Sequence, residues 1–251
     1  MNAIILAAGM GRRLFPDTEN IPKGMVKLFD KSLIEMQIDI FRSCDINDIT
    51  IVTGYRSEVI DIPGVNYVKN ENYETTNMNE SLFCALEPSS SPVLVTYSDI
   101  VFEQKIVQQM LENTDGVRLA VNLNWKKYYK NRTMHPLSEA ENVLVENGKI
   151  LQIRKNISES LQNQQIGEFL GIMMLSPDHV KILLERYSYL KKNHVGAFHN
   201  SISLSNAYIT DMLQEIINCG VNVNPVFTEG RWLEIDTPED LKNAEKSISK
   251  F

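Results

Sequence analysis

Residues 6–11 read Leu-Ala-Ala-Gly-Met-Gly, and Arg12, Arg13 and Lys23 stand close behind them. A Gly-x-Gly after an apolar run frees the backbone to approach a polyphosphate, with its N–H groups turned towards the anion. Arg13 offers a forked guanidinium and Lys23 a point charge, and both could neutralise phosphate. The stretch is not a dinucleotide fingerprint, because Leu14 occupies the third glycine position, which also disfavours a dehydrogenase. Nor is it a Walker A loop, which ends in Gly-Lys-Ser/Thr. Taken alone, Gly-x-Gly is equally satisfied by a tight turn. Two acids, Asp99 and Asp236, each follow a strand-like apolar run. Asp99 stands at a carboxyl strand end, where open α/β sheets place ligands. A turn acid is the plain alternative for Asp99, and a helix N-cap for Asp236.

The elements that must position these residues alternate. Residues 3–8 are a continuous apolar run, as for a strand buried on both faces. Ser32-Leu33-Ile34-Glu35 is a capping box, and Leu33, Met36 and Ile40 carry a helix towards Cys44. Strand-like runs follow at 48–53, 65–68 and 92–96, each with a helix-compatible stretch behind it, which predicts a parallel, doubly wound sheet. Runs 142–145 and 149–153 flank Glu146-Asn147-Gly148, so an antiparallel hairpin is inserted there. Strand character resumes at 169–175, and helices fit 177–190 and 206–219, the latter closed by Gly220. Strands at 221–227 and 231–235 precede a helix that opens with Thr237-Pro238, a cap and then proline. The expected fold class is α/β: one domain, 1–251, with a mostly parallel mixed sheet.

Composition limits the partners. The 251 residues carry a net charge of −7 at a pI near 5.2, which gives no footprint for gripping a nucleic-acid backbone. At 43% hydrophobic, the chain can bury a core without staples. Cys44, Cys84 and Cys219 lie far apart without a CxxC pair, which reads as reduced thiols, and no His pair suggests zinc. The run at 3–8 is too short for a signal segment, and no apolar run approaches the length of a membrane span. A cytoplasmic protein without membrane or nucleic-acid partners is expected. The sequence shows no obligate interface, so the oligomeric state stays open, a homodimer included.

Between the two halves, Trp125, Tyr128, Tyr129, Arg132, His135, Glu139 and Glu141 crowd aromatics and charge together. An aromatic cage would suit a quaternary ammonium, and Arg132 could grip a phosphate or carboxylate. A loop packing its aromatics on the sheet explains the run equally well. Asp211 is a further candidate that a solvated helix face also explains. The four His have no catalytic spacing, and the Met residues read as core filler.

The longer pattern from Leu6 to Lys23, L-A-A-G-x-G-x-R-L-x-P-x-T-x-x-x-P-K, resembles the opening of the nucleoside-triphosphate:sugar-phosphate nucleotidyltransferase family. The chain is most similar there to the bacterial choline-phosphate and phosphonate cytidylyltransferases. Asn70, Tyr73, Asn77, Ser81 and Leu82 match the N-x-x-Y-x-x-x-N-x-x-x-S-L spacing of that branch, and Leu33-Ile34-Glu35 with Gln37 and Gly54-Tyr55 follow the family's first crossover. The resemblance implies a Rossmann-like nucleotidyltransferase fold, Mg²⁺ as cofactor, and transfer of CMP from CTP to a small phosphorylated or phosphono acceptor, releasing pyrophosphate. It implies that Leu6, Ala8, Gly9, Met10, Gly11, Arg12, Arg13 and Lys23 bind the nucleotide, with Arg13 and Lys23 catalytic and Asn77 and Ser81 reading base and ribose. Asp99 in Asp99-Ile100-Val101-Phe102 and Asp236 in W-x-E-I-D-T-P-E-D-L fall on the family's metal-binding aspartates. Lys155, Glu168 and Gly171 fall beside the acceptor, where Arg132, Trp125 and Asp211 would join them. Arg12, Asp17 and Gly24 depart from the family's usual residues, and an acid at 17 is the oddest of these. Two other readings share the fold: a sugar-1-phosphate nucleotidyltransferase using another NTP, and a non-catalytic nucleotide sensor. The retained set Arg13, Lys23, Asp99 and Asp236 argues against the sensor.

Overall fold

The computed structural model describes residues 1–130, 132–158 and 160–248. Strand β1 (Asn2–Ala7) leads through a small hairpin, β2 (Lys27–Leu28) and β3 (Lys31–Ser32), into helix α1 (Leu33–Ser43). Next come β4 (Asp48–Thr53), β5 (Asn66–Lys69), α2 (Met78–Ala85), β6 (Val93–Tyr97), β7 (Ile100–Phe102), α3 (Gln104–Leu111) and β8 (Val117–Asn122). The hairpin β9 (Glu141–Glu146) and β10 (Lys149–Lys155) precedes β11 (Gln164–Leu175), α4 (Pro177–Asn193) and α5 (Ile209–Asn218). Strands β12 (Val223–Phe227) and β13 (Trp232–Glu234) and helix α6 (Pro238–Ile248) follow.

The apolar run at the start becomes the centre of the sheet. β1 pairs in parallel with β4 on one side and β6 on the other, in the order β10-β9-β11-β6-β1-β4-β5. Alternate residues of β1 enter opposite cores, as the period of two requires. Ile4 and Leu6 join the core covered by α2, α4 and α5, whereas Ala3, Ile5 and Ala7 join the one covered by α1 and α3. Helices therefore lie on both faces, as expected of a doubly wound sheet. The long β11 runs antiparallel to β6, β9 and β8, and β8 takes β12 as a parallel neighbour, so the sheet is mixed.

Local signals held where local chemistry decides. Ser32 caps α1 with Glu35 in a reciprocal box. Asn147 and Gly148 both take positive φ, 51° and 74°, as a two-residue hairpin turn demands. Other expectations shift. β7 and β8 escaped the sequence pattern, because β7 spans three residues and the β8 run is broken by Arg118. The stretch after β4 forms only a 3-10 turn at Ser57–Val59, too short for a crossover helix. Helix α5 starts at Ile209 rather than 206, because Asp211 caps it through the backbone N–H of Tyr208. Among the described residues, no helix is long and apolar enough to cross a membrane.

Candidate active site

The chain leaves β1 through Ala8–Gly11, and Gly11 takes φ 61° with no room for a side chain, since a Cβ would lie 2.9 Å from Lys23 Cβ. Thr18, fully buried, donates its hydroxyl to the Gly11 carbonyl at 2.8 Å and pins the loop. Lys23 follows Pro22 in a 3-10 turn and points back beneath that loop. The turn between β6 and β7 carries Asp99. It is clamped by the buried Gln37, whose amide donates to the carbonyls of Tyr97 (2.9 Å) and Ile100 (2.8 Å) and accepts from Thr96. Gln37→Leu leaves those two buried carbonyls without a donor. The cost expected is about 1–3 kcal/mol for each, read as a lowered urea midpoint against wild type.

Asp236 reaches Asp99 by tertiary pairing. β13 runs antiparallel to β7 with Glu234 opposite Ile100, and the Ile235 N–H donates to the Asp99 carbonyl at 2.8 Å. The cap of α6 belongs to Thr237, not Asp236. Thr237 Oγ1 accepts from the Asp240 N–H, and Asp240 accepts from the backbone of Asp236 and Thr237. The Asp236 carboxylate is thereby free for other partners.

Four of the expected residues converge. Lys23 Nζ donates to both Asp99 Oδ2 and Asp236 Oδ1, and the Arg13 guanidinium reaches Asp236 Oδ2. Burial lowers the Lys23 ammonium's affinity for its proton, but Asp99 and Asp236 more than offset this and hold it well above its ordinary range. Burial pushes Asp236 up, yet His135, Lys23 and Arg13 together hold its carboxyl well below the usual value. His135, buried and discounted on sequence spacing, sets Nδ1 3.0 Å from Asp236 Oδ2 and Nε2 3.4 Å from Glu234. The strand alternation in Trp232-Leu233-Glu234-Ile235-Asp236 is the signal that could have added Glu234, two residues from Asp236 on the same side.

These residues fit a divalent cation. Asp99 Oδ1 and Asp236 Oδ2 are buried oxygens without a well-directed hydrogen bond, although Arg13 and His135 approach the latter. His135, Glu234 and Asp236 also offer atoms within 4.8 Å of one another. Two carboxylates that leave coordination positions for phosphates and water suit Mg²⁺.

A cleft opens beside this cluster, lined by Arg13, Tyr97, Asp99, Tyr129, Glu141, Lys155, Glu168, Gly171, Tyr208 and Glu234. Gly171 interrupts β11 at φ 70°, where a Cβ would meet the Tyr97 ring at 2.7 Å. Lys155 closes one rim with Glu139 at 2.7 Å, and Glu139 lies 3.6 Å from Arg13. Tyr97 donates to Glu141 at 3.0 Å and Tyr129 donates to Glu168. Burial raises Glu168 to about 8 and Glu141 to about 7.

Those two acids ionise near 4.5 when the chain unfolds, so their share of stability is full below that pH and lost as pH rises through about 7 to 8. Each raised unit is worth about 1.4 kcal/mol. Glu168→Gln should therefore gain on wild type by a few kcal/mol at pH 8.5 and lose that advantage at pH 5, measured by denaturation without ligand. A constant difference between the two pH values would refute the buried-charge account.

Other expected residues lie elsewhere. Trp125 is buried against Tyr129 and Ala140 and donates to the Ile166 carbonyl. Arg132 is locked on Asp240 at 2.7 Å and Glu234 at 3.4 Å and lines a separate pocket with Lys127, Tyr128 and Asp240. Asp211, 2% exposed, accepts from Asn200, Ser201 and Tyr208 and ties the loop before α5. Asn77 caps α2, and Ser81 accepts from Asn70, so both side chains already have partners. Leu6 and Ala8 are buried in the β1 strand and loop, while Met10 and the exposed Arg12 touch at 3.8 Å. Asp17 is exposed.

A model of the MobA-like NTP transferase domain matches residues 3–163. The chain is 30% identical over 259 residues to the CTP:phosphoglutamine cytidylyltransferase of Campylobacter jejuni, covering 96% of this chain and 98% of that one. It is 37% identical over 118 residues to the choline-phosphate cytidylyltransferase of Streptococcus pneumoniae, covering 45% of this chain and 52% of that one. Among solved structures, the S. pneumoniae CTP:phosphocholine cytidylyltransferase superposes with a TM-score of 0.73 at 25% identity, over 98% of each chain. The inositol-1-phosphate CTP transferase of T. maritima shares the fold at a TM-score of 0.73 and 21% identity, over 99% of this chain and 95% of that one.

Proposed function

Because the chain belongs to the family of MobA-like NTP transferase domains, we propose that it transfers CMP from CTP to a small phosphorylated or phosphono acceptor, with Mg²⁺ as cofactor. The observation that carries this reading is the meeting of Lys23 and Arg13 with Asp99 and Asp236 at the carboxyl ends of β1 and β6. The names of the relatives, which use CTP, support the choice of nucleotide. Three free cysteines, Cys44, Cys84 and Cys219, support a reducing compartment, and we assign the protein to the cytoplasm.

A phosphate or phosphonate oxygen of the acceptor attacks the α-phosphorus of CTP. A P–O bond forms to it, the bond to the β-phosphate oxygen breaks, and pyrophosphate leaves. The attacking oxygen is already an anion, so no side chain need act as nucleophile or base. Positioning and charge stabilisation carry the catalysis. Lys23, held protonated, and Arg13 face the charge that builds on the triphosphate, and the Gly9–Gly11 backbone cradles it. Asp99 and Asp236 would hold Mg²⁺, which when bound neutralises phosphate charge and orients the chain of phosphates. Asn77 and Ser81 stand at the start of α2, on the side proposed for base and ribose.

Incubation with each of ATP, CTP, GTP and UTP across a panel of acceptors, followed as pyrophosphate release, tests the reading. Release with CTP and phosphorylated or phosphono acceptors is expected. Release confined to hexose 1-phosphates would overturn it in favour of a sugar-nucleotide enzyme. Nucleotide binding without any release would favour a sensor.

A further inference from the structure

Five acids, Asp99, Glu139, Glu141, Glu168 and Glu234, line the cleft, and Lys155 and Arg132 act on Glu141 and Glu168 from beyond ion-pair distance. Among the described residues, neither Glu141 nor Glu168 forms an ion pair, and each has a tyrosine hydroxyl instead. Glu168 is 2% exposed, lines the cleft, and leaves Oε2 buried without a donor. A buried carboxylate oxygen left so costs more than a neutral one, which makes it a demand for a donor that a ligand can meet. Tyr97, Tyr129, Tyr208 and Trp232 form the walls around the two acids. The basic side chains of the cleft are already committed, Lys155 to Glu139 and Arg13 to Asp236.

Resting on the transferase reading above, we infer that the acceptor carries a protonated primary amine, which donates N–H hydrogen bonds to Glu168 and Glu141 while its phosphate faces the α-phosphorus of the nucleotide. Three acceptor chemistries meet this floor differently. A hydroxyl supplies a donor and no charge. A trimethylammonium supplies charge and packs on aromatic rings, but has no N–H to give Glu168 Oε2. A primary ammonium supplies charge and three donors together. Burial holds both carboxyls high, near 8 and 7, and an incoming cation relieves that penalty. Glu168 and Glu141 thereby act as specificity-determining residues, lining the same cleft as Asp99 but separate from the carboxylates assigned to the metal.

The test uses the full chain with CTP and Mg²⁺ and reads pyrophosphate from three acceptors of matched length: phosphoethanolamine, 2-hydroxyethyl phosphate and phosphocholine. Phosphoethanolamine is expected to exceed the hydroxyl analogue in kcat/KM by about 10²–10³-fold, the scale for leaving a buried hydrogen-bonded charge without its partner. It should also exceed phosphocholine by about tenfold or more, the worth of one unmade hydrogen bond to a charged group. Glu168→Gln and, separately, Glu141→Gln should each pull the amine-to-hydroxyl ratio towards unity. That ratio is taken within one preparation, so it does not depend on how much of a variant folds. Equal use of the hydroxyl analogue, a preference for phosphocholine, or an unmoved ratio in both variants overturns the inference while the transferase reading stands. No pyrophosphate from CTP with any acceptor overturns both.

Discussion

Replacing Lys23 with alanine is expected to lower kcat for pyrophosphate release by about 10²–10³-fold, the loss typical of one preorganised charge-stabilising donor. Lys23 is the hub of the site: its ammonium touches both Asp99 and Asp236, in a position only 12% exposed at the side chain. Its removal does more than weaken the hold on the triphosphate proposed for it. It leaves two mostly buried carboxylates facing one another without their cation, which should cost about 3–5 kcal/mol of stability, the scale for breaking a buried pair. Millimolar Mg²⁺ should recover part of that loss and raise the melting temperature of Lys23→Ala more than that of wild type, because the metal binds the folded state. Turnover near wild type would sink the assignment of Lys23. An equal Mg²⁺ response in the two proteins would sink the account of the paired acids.

The second large effect is expected at Asp236. Asp236→Asn preserves shape and removes the charge that Lys23, Arg13 and His135 share. Pyrophosphate release should fall by about 10²–10³-fold, and the Mg²⁺ concentration for half-maximal rate should rise by about 10–100-fold, the range seen when metal-site support is lost. The carboxyl is held below its ordinary value, so its stabilising share is present at neutral pH and lost as pH falls below about 4. The Asn variant should therefore converge with wild type in stability at acid pH. An unchanged Mg²⁺ titration would show that the metal, if bound, sits elsewhere. Asp99→Asn offers the matched comparison, since its carboxylate shares Lys23 but forms no ion pair with Arg13 or His135 among the described residues.

The difference between the two aspartates shows how far the sequence could be read. Motif context marks both, but the motif does not say what joins them. The joint is the pairing of β13 with β7, and β7 is too short to leave a period in the sequence. Trp125, Arg132 and Asp211 illustrate the opposite direction. Their types suit a ligand, yet each is consumed by the fold: Trp125 by a carbonyl, Arg132 by Asp240, Asp211 by the loop before α5. Residue type shows what a side chain can do, whereas partners that arrive from distant segments decide what it does. His135 makes the same point, since its role comes from Asp236 and Glu234, a hundred residues along the chain.

What the sequence determined by itself was everything governed by nearest neighbours. The doubly buried β1, the Ser32 cap, the Asn147-Gly148 turn and the Thr237 cap follow from local dihedral preferences and hydrogen bonds within four residues. The glycine loop with Arg13 and Lys23 belongs with these, because it too is one continuous segment. Tertiary structure alone decided the cation bridging two remote acids, the pairing of β13 with β7 that brings Asp236 to Asp99, and the acidic floor made by β9 and β11. Each of these depends on charges brought together from separate strands inside a low-dielectric interior, where a few ångströms of placement set the sign and size of the interaction.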